Sequence, residues 1–113
     1  KEVVQKFVAQ VSKEITIDSI LDLVADHFEL DVDTIKSNSR KRQIVMARQL
    51  AMYFVKQHTD HSLKTIGKEF GGRDHSTVIY SCRTVNDLID SDNSFKFMVE
   101  ELDKKLTMSL HST

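Results

Sequence analysis

Apolar residues recur at helical spacing along almost the whole chain. Val3, Phe7, Val8 and Val11 form a narrow stripe that predicts a helix over 2–11. Ile17, Leu21, Val24 and Phe28 form the next one. Thr16 stands in its N-cap position, and Ser19 occupies the third helical position, where a capping box normally carries Glu or Gln. After a break at 29–31, residues 32–36 predict a single helical turn with Ile35 directed at the core. The longest periodic segment is 41–58. There Ile44, Ala47, Ala51, Phe54 and His58 recur at three, four, three and four, and Val45, Leu50 and Val55 widen the face. Such a face predicts the central buried helix. Arg48, Met52 and Lys56 lie four apart at its edge and predict an outer ridge carrying two cations. Ser62 opens a short helix with Leu63, Ile66 and Phe70 inward. Val78, Cys82, Val85 and Ile89 give the stripe of a helix ending near residue 90. Phe95, Val99, Leu102 and Leu106 give the last, with Glu100, Glu101, Lys104 and Lys105 as charge pairs four apart.

Between the short helix and its successor stand Gly71 and Gly72. Glycine ends a helix readily because the left-handed conformation costs it little. Asp74 follows with the chemistry of an N-cap, an acceptor for free N–H groups and a negative charge at the positive helix end. Just inside that start lie His75, Ser76 and Thr77, three polar side chains at a helix tip. A short helix, a glycine turn and a second helix with a polar nose make a helix-turn-helix pattern. The expected fold is therefore all-α, a helical bundle containing a helix-turn-helix preceded by a basic loop.

Composition narrows this picture. With 113 residues the chain has the length of one domain. No proline and three glycines favour long helices over an all-β fold. One cysteine excludes an internal disulfide and points to a reducing, cytoplasmic setting. No apolar run approaches the ~20 residues of a membrane helix. The N-terminus has no signal-peptide core and no initiator methionine, as expected of a piece of a longer protein. Net charge is −1, but residues 36–83 hold 10 basic against 3 acidic residues, and the flanks hold 6 against 14. That is a +7 centre between ends summing to −8. A polyanion footprint and a solvated helix face both fit. Arg40, Lys41 and Arg42 crowd three cations onto the loop after Ser37-Asn38-Ser39, where a polyanion would relieve their repulsion.

Catalytic chemistry finds no constellation. Asp18, Asp22 and Asp26 form an acidic row without a ligand partner at metal spacing. His58 and His61 lie three apart, across a turn and without a third ligand nearby. Asp74, His75 and Ser76 name the members of a triad, but neighbours at a helix start point in different directions. Gly71-Gly72 has no Gly-Lys phosphate loop around it. Cys82 sits on an apolar stripe and reads as a small buried hydrophobe. We therefore expect neither an enzyme nor a metal site.

The run Gly-Gly-Arg-Asp-His-Ser-Thr-Val at 71–78, continued by Ile-Tyr-Ser-Cys-Arg-Thr-Val, resembles the signature of the C-terminal DNA-binding domain of the DnaA family of bacterial replication initiators. The resemblance extends from about 14 to 106, through Ala-Arg-Gln-Leu-Ala-Met at 47–52 and His-Ser-Leu at 61–63. It implies binding to double-stranded DNA at origin boxes of the TTATNCACA type. It places base reading in the major groove on Asp74, His75, Ser76 and Thr77, and minor-groove reading on Arg40. The chemistry agrees. Asp accepts from a cytosine amino group, His donates to a purine, and the Thr77 methyl meets a thymine methyl. A narrow A·T minor groove attracts arginine. The resemblance further implies backbone contacts from Arg42, Arg48, Gln49, Lys56 and Arg73, with Leu63 and Lys64 nearby. Lys64 stands where a family member can carry Pro, and Tyr80 where others can carry His, so a phosphate contact is the expected use of each. Ser76 replaces a Thr and loses one methyl.

The resemblance also implies that residues 1–14 are a connector helix from an ATP-binding AAA+ module absent here, and that 15–113 are the DNA-binding domain. This chain would then need no cofactor, ATP belonging to the full-length protein. The isolated domain would be a monomer, and the full-length protein would oligomerise on the origin, contact regulatory proteins and be nucleoid-associated. The residues also fit a helical protein-interaction module, or a promoter-binding transcription regulator using the same surface.

Overall fold

Six helices build the molecule around the third. The computed structural model describes residues 15–111, so the helix expected over 2–11, and with it the connector over 1–14, lies outside the described residues. In order they are α1 (Ile17–Phe28), α2 (Val32–Lys36), α3 (Arg42–His58), α4 (Leu63–Glu69), α5 (His75–Ser91) and α6 (Asn93–His111). No strand occurs among the described residues. α3 packs against α1, α2, α4 and α5, while α6 lies against α5 and α1.

Four of the six helices, α1, α4, α5 and α6, begin where a side chain takes up a free N–H group, whereas Asp31 before α2 and Lys41 before α3 make no such bond. Thr16 Oγ1 accepts from Ser19 N–H at 3.0 Å, and Ser19 Oγ accepts from Thr16 N–H at 2.9 Å, so serine completes the capping box without a Glu. Ser62 Oγ accepts from Thr65 N–H at 3.1 Å and opens α4. Asp92 Oδ1 accepts from Phe95 N–H at 3.1 Å, so a single residue suffices to end α5 and start α6.

The stripes meet in one core. Ile20, Leu21 and Val24 of α1, Ile35 of α2, Leu50, Phe54 and Val55 of α3, Ile66 of α4, and Val78 and Val85 of α5 are fully buried. Phe70, just past α4, and Leu102 of α6 join them. Each large apolar side chain so buried stabilises by roughly 1.5–3 kcal/mol relative to exposure.

The expected outer ridge on α3 is not there. Met52 is fully buried and Arg48 only 7% exposed, which leaves Lys56 as the one cation outside. Residues 44, 48, 52 and 55 share a helical face, and Ala47 and Ala51 beside them take up little room. The apolar surface is therefore wider than the stripe counted in the sequence and takes in an arginine stem. His58, expected at the end of the stripe, is half-buried and pairs its Nε2 with Asp103 Oδ1 at 2.6 Å.

Candidate nucleic-acid interface

The α4–α5 unit is locked by its turn. Arg73 N–H donates to Gly67 O at 2.8 Å, across the angle between the helices. A Cβ on Gly67 would collide with the carbonyl oxygen of Arg73, so the helices approach as closely as they do because residue 67 has no side chain. Gly71 and Gly72 turn the chain with φ of 89° and 78°. A Cβ on Gly71 would also come within 2.6 Å of Lys36 O and 2.8 Å of Arg73 Nη1. The turn is thus fitted against the end of α2 as well as against α4.

Asp74 is the N-cap of α5. Its Oδ1 accepts from Thr77 N–H at 3.0 Å and from Thr77 Oγ1 at 3.1 Å. The Thr77 backbone bond, then its hydroxyl, hold the Asp74 carboxyl below the usual carboxylate range, and the His75 charge adds to this. With the Thr77 hydroxyl engaged in the cap, its methyl is the group left for an apolar contact. Asp74, His75 and Ser76 are exposed and Thr77 is half-exposed. A shallow groove beside this tip is lined by Leu63, Lys64, Lys68, Arg73, Asp74 and His75. Five of the expected site residues therefore meet at one place.

The basic loop lies before α3. Arg40, Lys41 and Arg42 are all exposed. The loop's path is held by side chains beneath it. Arg48 Nε donates to Ile35 O at 2.8 Å, and its Nη2 donates to Ser37 O at 2.7 Å and Ser39 O at 3.0 Å. From the other side, Arg73 Nη2 donates to Ser37 O at 2.7 Å, and its Nη1 to Lys36 O at 3.3 Å and to Phe70 O. Burial lowers the pKa of both guanidiniums, and the neighbouring Arg73 charge lowers that of Arg48 further. An arginine nevertheless stays charged in such a setting.

Of the expected backbone-contacting side chains, Arg42, Lys56, Lys64 and Tyr80 are exposed, Tyr80 at 63%. Gln49 and Leu63 are half-buried. Arg48 is placed otherwise than the sequence suggested, with donors expected to face solvent turned onto loop carbonyls inside the molecule. Ser81, outside the apolar stripe expected for α5, lies 2% exposed on that helix's inner side. For Arg48 a signal was available, since it sits four residues after Ile44 and four before Met52 on the apolar side of α3. For the carbonyls of residues 35, 37 and 39 there was none, because every residue has one.

Elsewhere, Cys82 on α5 is half-buried, and burial pushes its thiol pKa up, with the Lys56 charge opposing this. Among the described residues no group of three or more His, Cys, Asp or Glu side chains is arranged to hold a metal ion. Nor, among the described residues, is any helix long and apolar enough to cross a membrane.

Comparison with known proteins agrees with this geometry. The family model for the bacterial DnaA protein helix-turn-helix matches residues 17–85, from the first residue of α1 into α5. A chromosomal replication initiator protein DnaA from Flavobacterium psychrophilum is 47% identical over 108 residues, 96% of this chain and 23% of that protein. Its counterpart from Nostoc sp. is 43% identical over 99 residues, 88% of this chain and 22% of that protein. That from Bacteroides thetaiotaomicron is 42% identical over 106 residues, 94% of this chain and 23% of that protein. The chain thus spans less than a quarter of the length of these curated relatives. With more than half of its residues matched and its helices meeting in that motif's geometry, the chain belongs to the bacterial DnaA helix-turn-helix family.

Proposed function

We propose that this chain binds double-stranded DNA sequence-specifically, at origin boxes of the TTATNCACA type, in support of chromosomal replication initiation. The tip of α5 enters the major groove, where Asp74, His75, Ser76 and Thr77 meet base edges. Arg40 enters the adjacent minor groove at the A·T-rich end of the box. Arg42, Gln49, Lys56, Lys64 and Tyr80 contact the sugar-phosphate backbone and set register without reading sequence. The observation that carries this is a pair of exposed heads tied together by one side chain. A capped helix tip of four polar side chains and a loop of three exposed cations are bridged by Arg73, which holds the loop from the turn before the tip. Residues 15–113 act as the DNA-binding unit, and residues 1–14 lead in from an ATP-binding module. Binding by this chain needs no nucleotide.

A gel-shift titration with a box duplex against a scrambled duplex, at one stated salt concentration, tests it. The box is expected to bind more tightly, by a factor that His75→Ala or Thr77→Ala reduces by roughly 1–3 kcal/mol per contact while leaving scrambled DNA nearly unaffected. Equal losses on both duplexes would remove these residues from base reading. Equal affinity of the unaltered chain for both would remove the sequence-specific function.

A further inference from the structure

The basic loop is held by two arginines from opposite sides, and they meet on one atom. Arg48 reaches up from α3 to Ile35 O, Ser37 O and Ser39 O. Arg73 reaches across from the helix-turn-helix turn to Lys36 O, Ser37 O and Phe70 O. The Ser37 carbonyl accepts from both, at 2.7 Å each. All but that of Phe70, which follows α4, belong to the last residues of α2 and the loop just after it. The end of a helix leaves its final carbonyls without intrahelical partners, and they carry the negative end of its dipole. A planar guanidinium offers several donors in a fixed fork, which suits such a group of acceptors better than an ammonium does. Two cations this close repel, so the arrangement persists because five carbonyls divide the donors between them.

The loop's own hydroxyls continue the restraint. Ser39 N–H donates to Ser37 Oγ at 3.2 Å and Lys41 N–H to Ser39 Oγ at 3.2 Å. Arg40 lies between them, directly after the Ser39 carbonyl that Arg48 holds. On the other side, Arg73 is the residue just before the cap of α5. Gly71 leaves room for this seam, since a Cβ there would press on Lys36 O and Arg73 Nη1 alike.

We infer that Arg48 and Arg73 are positioning residues for DNA recognition, a double clamp on the α2–α3 loop that fixes the distance between Arg40 and the tip of α5. This rests on the DNA-binding function proposed above and extends it. A box must present its minor-groove and major-groove features at one spacing, and the clamp sets which spacing the protein accepts. Arg48 and Arg73 thereby govern sequence preference through Arg40, in addition to any charge they lend the surface.

Arg48→Lys and Arg73→Lys test it, because they keep the charge and remove the fork. Without DNA, the Ser39 and Lys41 amides are expected to exchange with solvent at least about tenfold faster in each variant, the equivalent of one lost hydrogen bond to a charged group. Amides of α3 and α5 should keep their protection. Should Arg48→Lys lose that protection as well, Arg73→Lys, at the half-exposed turn, carries the measurement. With DNA at constant salt, Arg73→Lys should lower affinity for the box about tenfold and flatten preference at its A·T-rich end, with little loss on scrambled DNA. In an Arg40→Ala background the same substitution should cost little more, because its effect passes through Arg40. Unchanged loop exchange overturns the clamp. Losses that add in full to Arg40→Ala, with equal effect on scrambled DNA, overturn the positioning role and leave a plain phosphate contact. If the unaltered chain does not prefer the box, DNA reading falls, while the exchange measurement still decides whether the clamp exists.

Discussion

Asp74 combines an observed role, capping α5, with a proposed one, base reading, in a single carboxylate. It caps α5 through Thr77 N–H and Oγ1, and it stands at the tip where a cytosine amino group would be read. Its loss would weaken both, so Asp74→Ala cannot separate them, but pH can. The folded-state pKa of Asp74 is depressed, chiefly by the Thr77 backbone bond. A depressed carboxyl stabilises the fold above its unfolded pKa and loses that contribution as pH falls through the folded value. The window therefore lies below about pH 4, the ordinary carboxylate range. Asp74→Asn keeps a capping oxygen and removes the titration. Urea unfolding of the free protein from neutral to acid pH should show the unaltered chain losing stability more steeply in that window than Asp74→Asn. Parallel curves would mean that the cap is not linked to pH.

At the scale of elements, the turn between α4 and α5 fixes how the tip of α5 is presented. Its glycines differ in kind. Gly72 has a positive φ of 78° but open space around it, so an added Cβ meets only the backbone penalty. Gly71 has a positive φ of 89° and, in addition, Lys36 O and Arg73 Nη1 in the way. We expect Gly72→Ala to cost about 1 kcal/mol and Gly71→Ala roughly 1–3 kcal/mol, read from denaturant midpoints at constant m. The larger loss should come with weaker box binding, since the loop is displaced together with the turn. Equal losses at both positions would show that the seam between turn and loop contributes nothing to stability.

For the whole molecule, the net charge of −1 conceals a basic middle, and the fold decides which of its cations reach the surface. Arg40, Lys41, Arg42, Lys56 and Lys64 are exposed, whereas Arg48 is drawn inside. Each phosphate contact releases about 0.9 counterion from B-DNA, so removing one lowers the slope of log affinity against log salt by that amount. Lys56→Gln and Arg42→Gln should each lower the slope by about one unit and weaken box and scrambled duplex alike. A slope that does not move for either would take that side chain off the DNA.

How much of this was legible in the sequence follows from how local each cause is. Helix existence and type were readable because periodicity, caps and glycines act within a few residues. The Val32–Lys36 turn and the Thr16, Ser62 and Asp74 caps stand where the pattern put them. The polar tip at 74–77 was readable too, because a cap fixes which residues come first in the helix. The sequence by itself thus determined the helices, the helix-turn-helix and the residues at its nose. The tertiary structure alone decided the partners of Arg48 and Arg73. Their partners are backbone carbonyls as many as 13 and 37 residues away, and a carbonyl carries no mark in the sequence to say that it will need a donor. Only when α2 ends against the seam between α3 and the turn do those acceptors come within reach, and two arginines counted as surface charge become the supports of the loop that presents Arg40.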